Sequence, residues 1–449
     1  MLFILFDDLG WPQVPCFRAQ AEFELPNMDR LAREGMRFTD AHSAAAVCTP
    51  TRYGVLTGRY PMRIGQYGVL TTFAKPIIEP QRMTVASMLK SAGYRTACFG
   101  KWHLGMDIHA TGKATGNQLP PGTKVTDGPI TRGFDVYCGY PEARDIGLII
   151  EGDKVLGNFK EVEVQPLLAK KTIDYIEARA KDKSPFFIYV PLSPPHTPIV
   201  PAPEYVGKSK AGDKAKGYGD WVYQGDDVVG QILDALDRLK LADHTLVMVS
   251  SDNGAAGRVY PPLRACKASI YEGGHREPFI ARWPGHIKAG TTCADVICLN
   301  DIMATCADVA GIKIPDNAAE DSVSILPDLL ETAKGPVREA TVHEAPSGDL
   351  AIRQGPWKLI FKKGQKTELY NLQRDLGETR DVAAGKGEIV AKLTALMEKH
   401  IANGRSTPGP SLKNAVEIKL DGPPRGNKGK RKGKDASAEV RMALDPLFD

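Results

Sequence analysis

Apolar runs and helix-period runs alternate along the first two-thirds of the chain. Leu2–Phe6 is apolar at every position and runs straight into Asp7 and Asp8, the pattern of a strand buried on both faces. Pro26–Glu34 reads as a helix, with Pro at its start and Gly35 at its end. Thr84–Ala92 predicts a second helix closed by Gly93, followed by a strand over Tyr94–Phe99. Pro185–Leu192 carries Phe186-Phe187-Ile188-Tyr189-Val190, another buried strand. In Val222–Leu239, Val229, Leu233, Leu236 and Leu239 recur at helical spacing with Asp and Arg between them. Thr245–Val249 is again strand-like and leads to Asp252. Such alternation predicts a layered α/β domain with a mixed, largely parallel sheet. In an open sheet of this kind ligands collect beyond the carboxyl ends of the strands, where these acids fall.

Near residue 336 the period changes. Leu350–Arg353, Trp357–Phe361 and Glu368–Leu372 read as short antiparallel strands separated by Gly-bearing turns, and a helix follows near Ile389–Ile401. We therefore divide the chain into a catalytic α/β domain (1–335), a small C-terminal α+β subdomain (336–405) and a Pro/Gly/Lys-rich tail (406–449), expected to be mobile or extended.

The 449 residues are 42% hydrophobic and 25% charged, values of an ordinary globular protein. The net charge of +4 is outweighed by six basic residues between Arg425 and Lys434. A nucleic-acid protein would spread basic charge over its fold, so no nucleic-acid partner is expected. No apolar run approaches the ~20 residues of a membrane span. The opening hydrophobic run lacks a basic flank and reads as a strand, not as a signal peptide. The eight cysteines form no Cys-x-x-Cys pair; only Cys48 invites a role.

Cys48-Thr49-Pro50-Thr51-Arg52 places a thiol, a rigid residue and a permanent cation within five positions. Chance alone would give about 0.03 such patterns in this composition. Asp7, Asp8, Asp252 and Asn253 supply oxygen ligands suited to a hard cation such as Ca²⁺ or Mg²⁺, although Asp-Asp and Asp-Asn-Gly also favour turns. Gly100-Lys101-Trp102-His103-Leu104-Gly105 directly follows a predicted strand. His196 sits in Pro194-Pro195-His196-Thr197-Pro198, where proline on both sides limits its freedom. Lys267 begins Lys-x-x-x-Tyr-Glu-Gly-Gly-x-Arg-x-Pro; within it Glu272 and Arg276 are candidates for a structural ion pair.

In order and content these segments, with Pro26–His42, Arg132–Asp135 and Trp283–Gly285, resemble the sulfatase family of formylglycine-dependent, arylsulfatase-type enzymes from Leu2 to about His400. The resemblance implies an alkaline phosphatase-like α/β fold and hydrolysis of sulfate esters. It implies that Cys48 is oxidised to formylglycine by a maturation enzyme. It places a divalent cation, Ca²⁺ or else Mg²⁺, on Asp7, Asp8, Asp252, Asn253 and residue 48. Lys101 and Lys267 would then bind sulfate, His103 would take up a proton, His196 or Lys267 would donate one to the leaving oxygen, and Arg52 would hold the cluster in register. Phe6 and His275 depart from the family pattern, and the tail has no counterpart in it.

A phosphonate or phosphate diester hydrolase on the same frame, or a non-catalytic binder of sulfated glycans with an unmodified Cys48, are the alternatives. The expected substrate is a sulfate ester, with sugar, polysaccharide and aryl esters all open, because divergent loops decide this. Charged Glu142, Arg144, Asp145, Glu151 and Asp153 either line the substrate mouth or are solvated loop residues, the second being the default. Family members often carry an export signal before the first strand. The chain is then periplasmic or secreted where such a signal has been removed, and cytoplasmic otherwise. Oligomeric state is not legible.

Overall fold

The computed structural model describes residues 1–18, 21–110, 119–182, 184–211 and 217–420. The elements in chain order begin with β1 (Leu2–Asp7), α1 (Pro26–Glu34), β2 (Met36–His42), α2 (Cys48–Thr57), α3 (Val85–Ser91), β3 (Arg95–Lys101), β4 (Asp107–Ile108), β5 (Val125–Asp127), β6 (Val136–Tyr140), β7 (Leu148–Glu151), β8 (Lys154–Asn158), α4 (Glu161–Ala180), β9 (Phe186–Pro195), α5 (Tyr218–Arg238), β10 (Val247–Ser251), α6 (Glu272–His275), β11 (Arg276–Arg282), β12 (Thr291–Cys293), β13 (Ile297–Cys298) and α7 (Ile302–Val309). The short α8 (Leu326–Leu329) leads to β14 (Thr341–Glu344), β15 (Leu350–Gln354), β16 (Trp357–Phe361), β17 (Glu368–Asn371) and α9 (Gly387–Ala402).

Five strands run parallel in the order β10-β1-β9-β3-β6. β11 and β2 extend this sheet antiparallel beyond β10, and the β7–β8 hairpin extends it beyond β6. Because successive side chains of a strand point to opposite faces, β1 feeds two cores. Phe3 and Leu5 pack with Val55 and Leu56 of α2, Leu89 of α3 and Ile302 of α7. Leu2, Ile4 and Phe6 pack on the other face with Leu31 of α1, Leu168 of α4 and Trp221 and Leu233 of α5. This is the mixed, largely parallel sheet flanked by helices that the apolar pattern predicts. The second, antiparallel sheet β14-β15-β16-β17 has one strand more than expected, and α9 covers it through Leu393 and Met397. β4 and β5 form a separate two-stranded ribbon.

Several helices have no counterpart in the sequence reading, α4, α7 and α2 among them. α4 is dense in charge and carries Pro166, which masks its buried Val164, Leu168 and Ile176. The Cys48–Arg52 segment is the start of α2. Pro50 is the third residue of that helix, where its missing N–H falls among donors that have no intrahelical partner.

Gly35 ends α1, as expected, but for a different reason. Its φ of −140° is extended, and a Cβ there would lie 2.1 Å from the Ala281 carbonyl oxygen on β11. Gly35→Ala should therefore cost roughly 2–3 kcal/mol by overpacking, seen as a lowered melting temperature.

The tail departs from expectation over its first part. Residues 406–420 lie along the body: Ser406 N donates to Glu320 O at 3.1 Å and Ala415 N to Arg63 O at 2.8 Å, while Ile418 and Leu420 pack against the small sheet's core. The basic run from Arg425 to Lys434 lies outside the described residues. Among the described residues no helix is long and apolar enough to cross a membrane, and all eight cysteines are free.

His400 on α9 is buried, and burial pushes its pKa down to about 4. The unfolded chain binds this proton near pH 6.5, so stability is full above that value and is lost as pH falls toward 4. The melting temperature of His400→Gln should fall less steeply over that window than that of the wild type.

Candidate active site

Parallel pairing of β1 with β10 brings the ends of two strands side by side, with Phe6 opposite Ser251. Asp7 and Asp8 leave one strand; Asp252 and Asn253 leave the other. Asp8 N donates to Asp252 Oδ1 at 3.2 Å and Asn253 Nδ2 to Asp8 Oδ1 at 2.7 Å. β9, on the other side of β1, delivers His196 just past its end, and β3 ends at Lys101. Gly254 then passes so close to the α6 turn that a Cβ would sit 1.9 Å from Gly273 O. That approach, with Lys267 N donating to Ala255 O and Ala268 N to Ala46 O, sets Lys267 beside Cys48 at the start of α2.

The expected residues converge. Lys267 Nζ lies 2.6 Å from Asp8 Oδ1 and 3.5 Å from Cys48 Sγ. Lys101 Nζ donates to Asp7 Oδ2 at 2.6 Å. Arg52 reaches Asp252 Oδ2 through Nε at 3.0 Å and Nη2 at 2.7 Å, and its Nη1 donates to Lys101 O at 3.1 Å. His196 Nε2 stands 3.8 Å from Asp8 Oδ2. Ligand atoms of Asp7, Asp8, Cys48 and His196 all lie within 4.8 Å of one another.

His103 Nε2 donates to Leu70 O at 2.9 Å, which leaves Nδ1 as the lone-pair nitrogen; that atom is buried and without a hydrogen-bond partner. His103 and Asp8 both hold left-handed backbone, φ 57° and 73°, a strained conformation for side chains of this size. Thr49 holds this geometry by donating to His103 O at 3.0 Å and accepting from Leu70 N at 3.1 Å. Neither Thr49 nor Leu70 is legible as a site residue in the sequence. Only the position of Thr49 inside the Cys-x-Pro-x-Arg segment could have drawn attention to it.

Burial raises the Cys48 thiol pKa to about 11, even though Lys101 and Lys267 pull it down. At neutral pH it is a protonated, weak nucleophile. Burial would raise Asp7 as well, but Lys101, His196 and Arg52 hold it well below the usual carboxylate range. Asp252 goes the other way, pushed up to about 7 by burial and then by the neighbouring Asp7 charge. Burial holds His103 well below its ordinary value, with Lys101 adding to the effect, and takes His196 down to about 4. Both imidazoles are neutral at pH 7.

The donor set fits a hard divalent cation. Asp7 Oδ1 and Asn253 Oδ1 are buried without hydrogen-bond partners, and the ligand atoms are carboxylate and amide oxygens. Three carboxylates (Asp7, Asp8, Asp252) face three cations (Arg52, Lys101, Lys267), so a bound dication leaves the cluster positive, as an oxyanion needs.

Around the cluster, Glu272 and Arg276 form the expected ion pair at 2.9 Å. His275, the departure from the family pattern, is buried with its Nδ1 3.1 Å from His42 Nδ1 and its ring stacked 4.0 Å from His343. Lys358 Nζ lies 2.9 Å from His275 Nε2, so the substitution belongs to a polar seam between the two sheets. Of the loop charges, Glu142 is buried and accepts from Arg144 N, Asp145 pairs with Thr72, and Glu151 pairs with Lys171.

A buried cradle of carboxylates and fixed cations at the carboxyl edge of a parallel sheet, with a cysteine at a helix start, defines a hydrolase of the alkaline phosphatase-like class. The family model for sulfatases matches residues 1–312, and that for the N-sulphoglucosamine sulphohydrolase C-terminal region matches residues 266–406. An N-acetylgalactosamine-6-O-sulfatase of Bacteroides thetaiotaomicron is 30% identical over 89% of this chain and 92% of that protein. The N-acetylgalactosamine-6-sulfatase of Homo sapiens is 31% identical over 74% of this chain and 66% of that protein. A solved 6S-sulfatase from glycosaminoglycan metabolism in Bacteroides thetaiotaomicron superposes with a TM-score of 0.80 at 28% identity, covering 89% and 98% of the two chains. The chain belongs to the sulfatase family and is a sulfuric ester hydrolase.

Proposed function

We propose that this enzyme removes 6-O-sulfate from an N-acetylated amino sugar of a sulfated saccharide, with Cys48 converted to formylglycine by a maturation enzyme and Ca²⁺ held by Asp7, Asp8, residue 48, Asp252 and Asn253. The observation that carries the chemistry is the meeting of Cys48 with Lys267, Lys101 and partnerless carboxylate and amide oxygens in one buried cluster. The similarity to the N-acetylgalactosamine-6-sulfatases supports the saccharide class.

Hydrated formylglycine supplies two hydroxyls on one carbon, one to attack sulfur and one through which sulfate is released. The cation, when bound, neutralises sulfate charge and acidifies a hydroxyl of residue 48. The chain's own side chains do the rest. Lys101 and Lys267 bind the sulfate oxygens, and Arg52 locks Asp252 in place through two N–H bonds. His103 uses its partnerless Nδ1 to take the proton whose departure expels sulfate. His196 Nδ1 donates to Thr197 O at 2.5 Å, which leaves Nε2 to carry the proton for the leaving alcohol once the anionic ester beside it raises its pKa.

Two measurements test this reading. The mass of the tryptic peptide around residue 48 should show the aldehyde. Purified enzyme should also desulfate N-acetylgalactosamine 6-sulfate faster than its 4-sulfate isomer. An intact thiol in active enzyme refutes the first part; a preference for the 4-sulfate refutes the second.

A further inference from the structure

β12 lies at the edge of the main sheet, three strands from β10 in the order β12-β2-β11-β10. Cys293 pairs with Phe38, Phe38 with Phe279, and Phe279 with Ser250. At ~4.8 Å per strand, the Cys293 backbone lies roughly 14 Å to the side of the strand that delivers Asp252. The chain after β12 carries Asp295, and α8 carries Asp328. The Cys293 sulfur and one carboxylate oxygen from each of Asp295 and Asp328 all lie within 4.8 Å of one another. Asp328 is only 5% exposed, and its Oδ2 is buried without a hydrogen-bond partner. Such an orphaned oxygen carries a desolvation cost that a ligand would offset. Its neighbours in the chain add to the cost: burial and then the Asp295 and Asp301 charges push the Asp328 carboxyl up to about 7. Cys293 is a free thiol whose sulfur accepts from the Asp295 N–H. Cys293 and Asp295 are both only half-buried, which gives an ion a way in. The three histidines of the seam, His42, His275 and His343, differ in this respect. There the cations come from the chain itself, with Arg353 Nη1 and Lys358 Nζ 2.9 Å from His42 Nε2 and His275 Nε2.

We propose that Cys293, Asp295 and Asp328 form a second metal site, apart from the catalytic cluster, that takes Zn²⁺ and clamps α8 to the edge of the main sheet. One thiolate and two carboxylates supply three ligands, and a water completes the tetrahedron. The sulfur sets the choice of ion: a thiolate favours Zn²⁺ over Ca²⁺, so this site and the oxygen-rich catalytic cluster select different cations. Two carboxylates that repel each other instead share attraction to one dication. As the Zn–S bond forms, the thiol gives up its proton to solvent, and a proton shared by the carboxyls leaves with it. Burial pushes the Cys293 thiol up to about 11, so binding has to displace that proton and affinity rises with pH. α8 is the last helix before β14, so the clamp steadies the chain where it passes from one sheet to the next.

The test uses Co²⁺ as a reporter, because its bond to a thiolate gives a charge-transfer band in the near ultraviolet, and Zn²⁺ as the competitor. Full-length Cys48→Ser protein is titrated in excess Ca²⁺, so that the catalytic cluster offers no thiol and is already filled. One equivalent of Co²⁺ should produce the band, and Zn²⁺ should abolish it. Adding Cys293→Ser should remove the band, and adding Asp328→Asn should weaken binding at least roughly tenfold. Zn²⁺ should also raise the melting temperature by a few degrees. Asp328→Asn should erase that rise while making the metal-free protein melt higher, because it relieves the carboxylate pair. In enzyme with Cys48 intact, Asp328→Asn should leave aryl sulfate turnover unchanged. A band that survives Cys293→Ser, no band at all, or an unaltered Zn²⁺ response in Asp328→Asn overturns the site. Asp295→Asn provides a second variant: it should lose binding as Asp328→Asn does, and normal Zn²⁺ affinity in it overturns the proposal even where Asp328→Asn fails to fold.

Discussion

A Cys48→Ser variant should fold like the wild type and lose steady-state sulfatase turnover by at least roughly 10³-fold. Cys48 is buried at the start of α2, and serine is its nearest match in volume, so the melting temperature should move by only a few degrees. A serine hydroxyl beside Lys267 and Lys101 can still accept the sulfuryl group. It has no second hydroxyl through which to release it, so the protein should be trapped after one event. Intact mass after incubation with an aryl sulfate should show sulfated protein accumulating while product formation stops. Sustained multiple turnover by this variant would falsify the assignment of residue 48 as the converted nucleophile.

The second large effect is expected at Asp252. Its Oδ2 takes both N–H bonds from fully buried Arg52, and its Oδ1 accepts from Asp8 N. Asp252→Ala would strand the guanidinium without its carboxylate, at a cost of about 3–5 kcal/mol, and so confuse stability with chemistry. Asp252→Asn keeps an oxygen acceptor but removes the charge. Turnover should fall roughly 10³-fold with the fold retained, and calorimetric titration with Ca²⁺ should show weakened binding. Full activity of the wild type in metal-free buffer would remove the cation from the reading altogether.

Much of the site is legible in the chain because its parts are short words at strand ends. Asp7-Asp8 follows an unbroken apolar run, Lys101 and His103 follow another, and Asp252-Asn253-Gly254 a third. What those words do not contain is their partner. The Leu70 carbonyl that sets the tautomer of His103, and the Thr49 hydroxyl that ties it down, are ordinary backbone and hydroxyl groups with no sequence signal. α4 is not legible in the sequence because charge and Pro166 obscure a period that only its packing on the sheet reveals. Residues 406–420 carry a composition typical of mobile chain, yet pairing with Arg63, Glu320 and Asn403 holds them to the body.

Local composition was enough to say that strands and helices alternate, that the strands are buried on both faces, and which residues carry acid, base and cation. These properties depend on side-chain polarity at neighbouring positions, so they are present before the chain folds. Folding alone decided that carboxylates more than 240 positions apart share one cluster, through the register of β1 on β10. It also decided that a thiol of ordinary acidity becomes a buried one with a pKa near 11, and that His103 is left with one partnerless nitrogen. Distance, desolvation and hydrogen-bond saturation are properties of packed neighbours, and no stretch of sequence contains them.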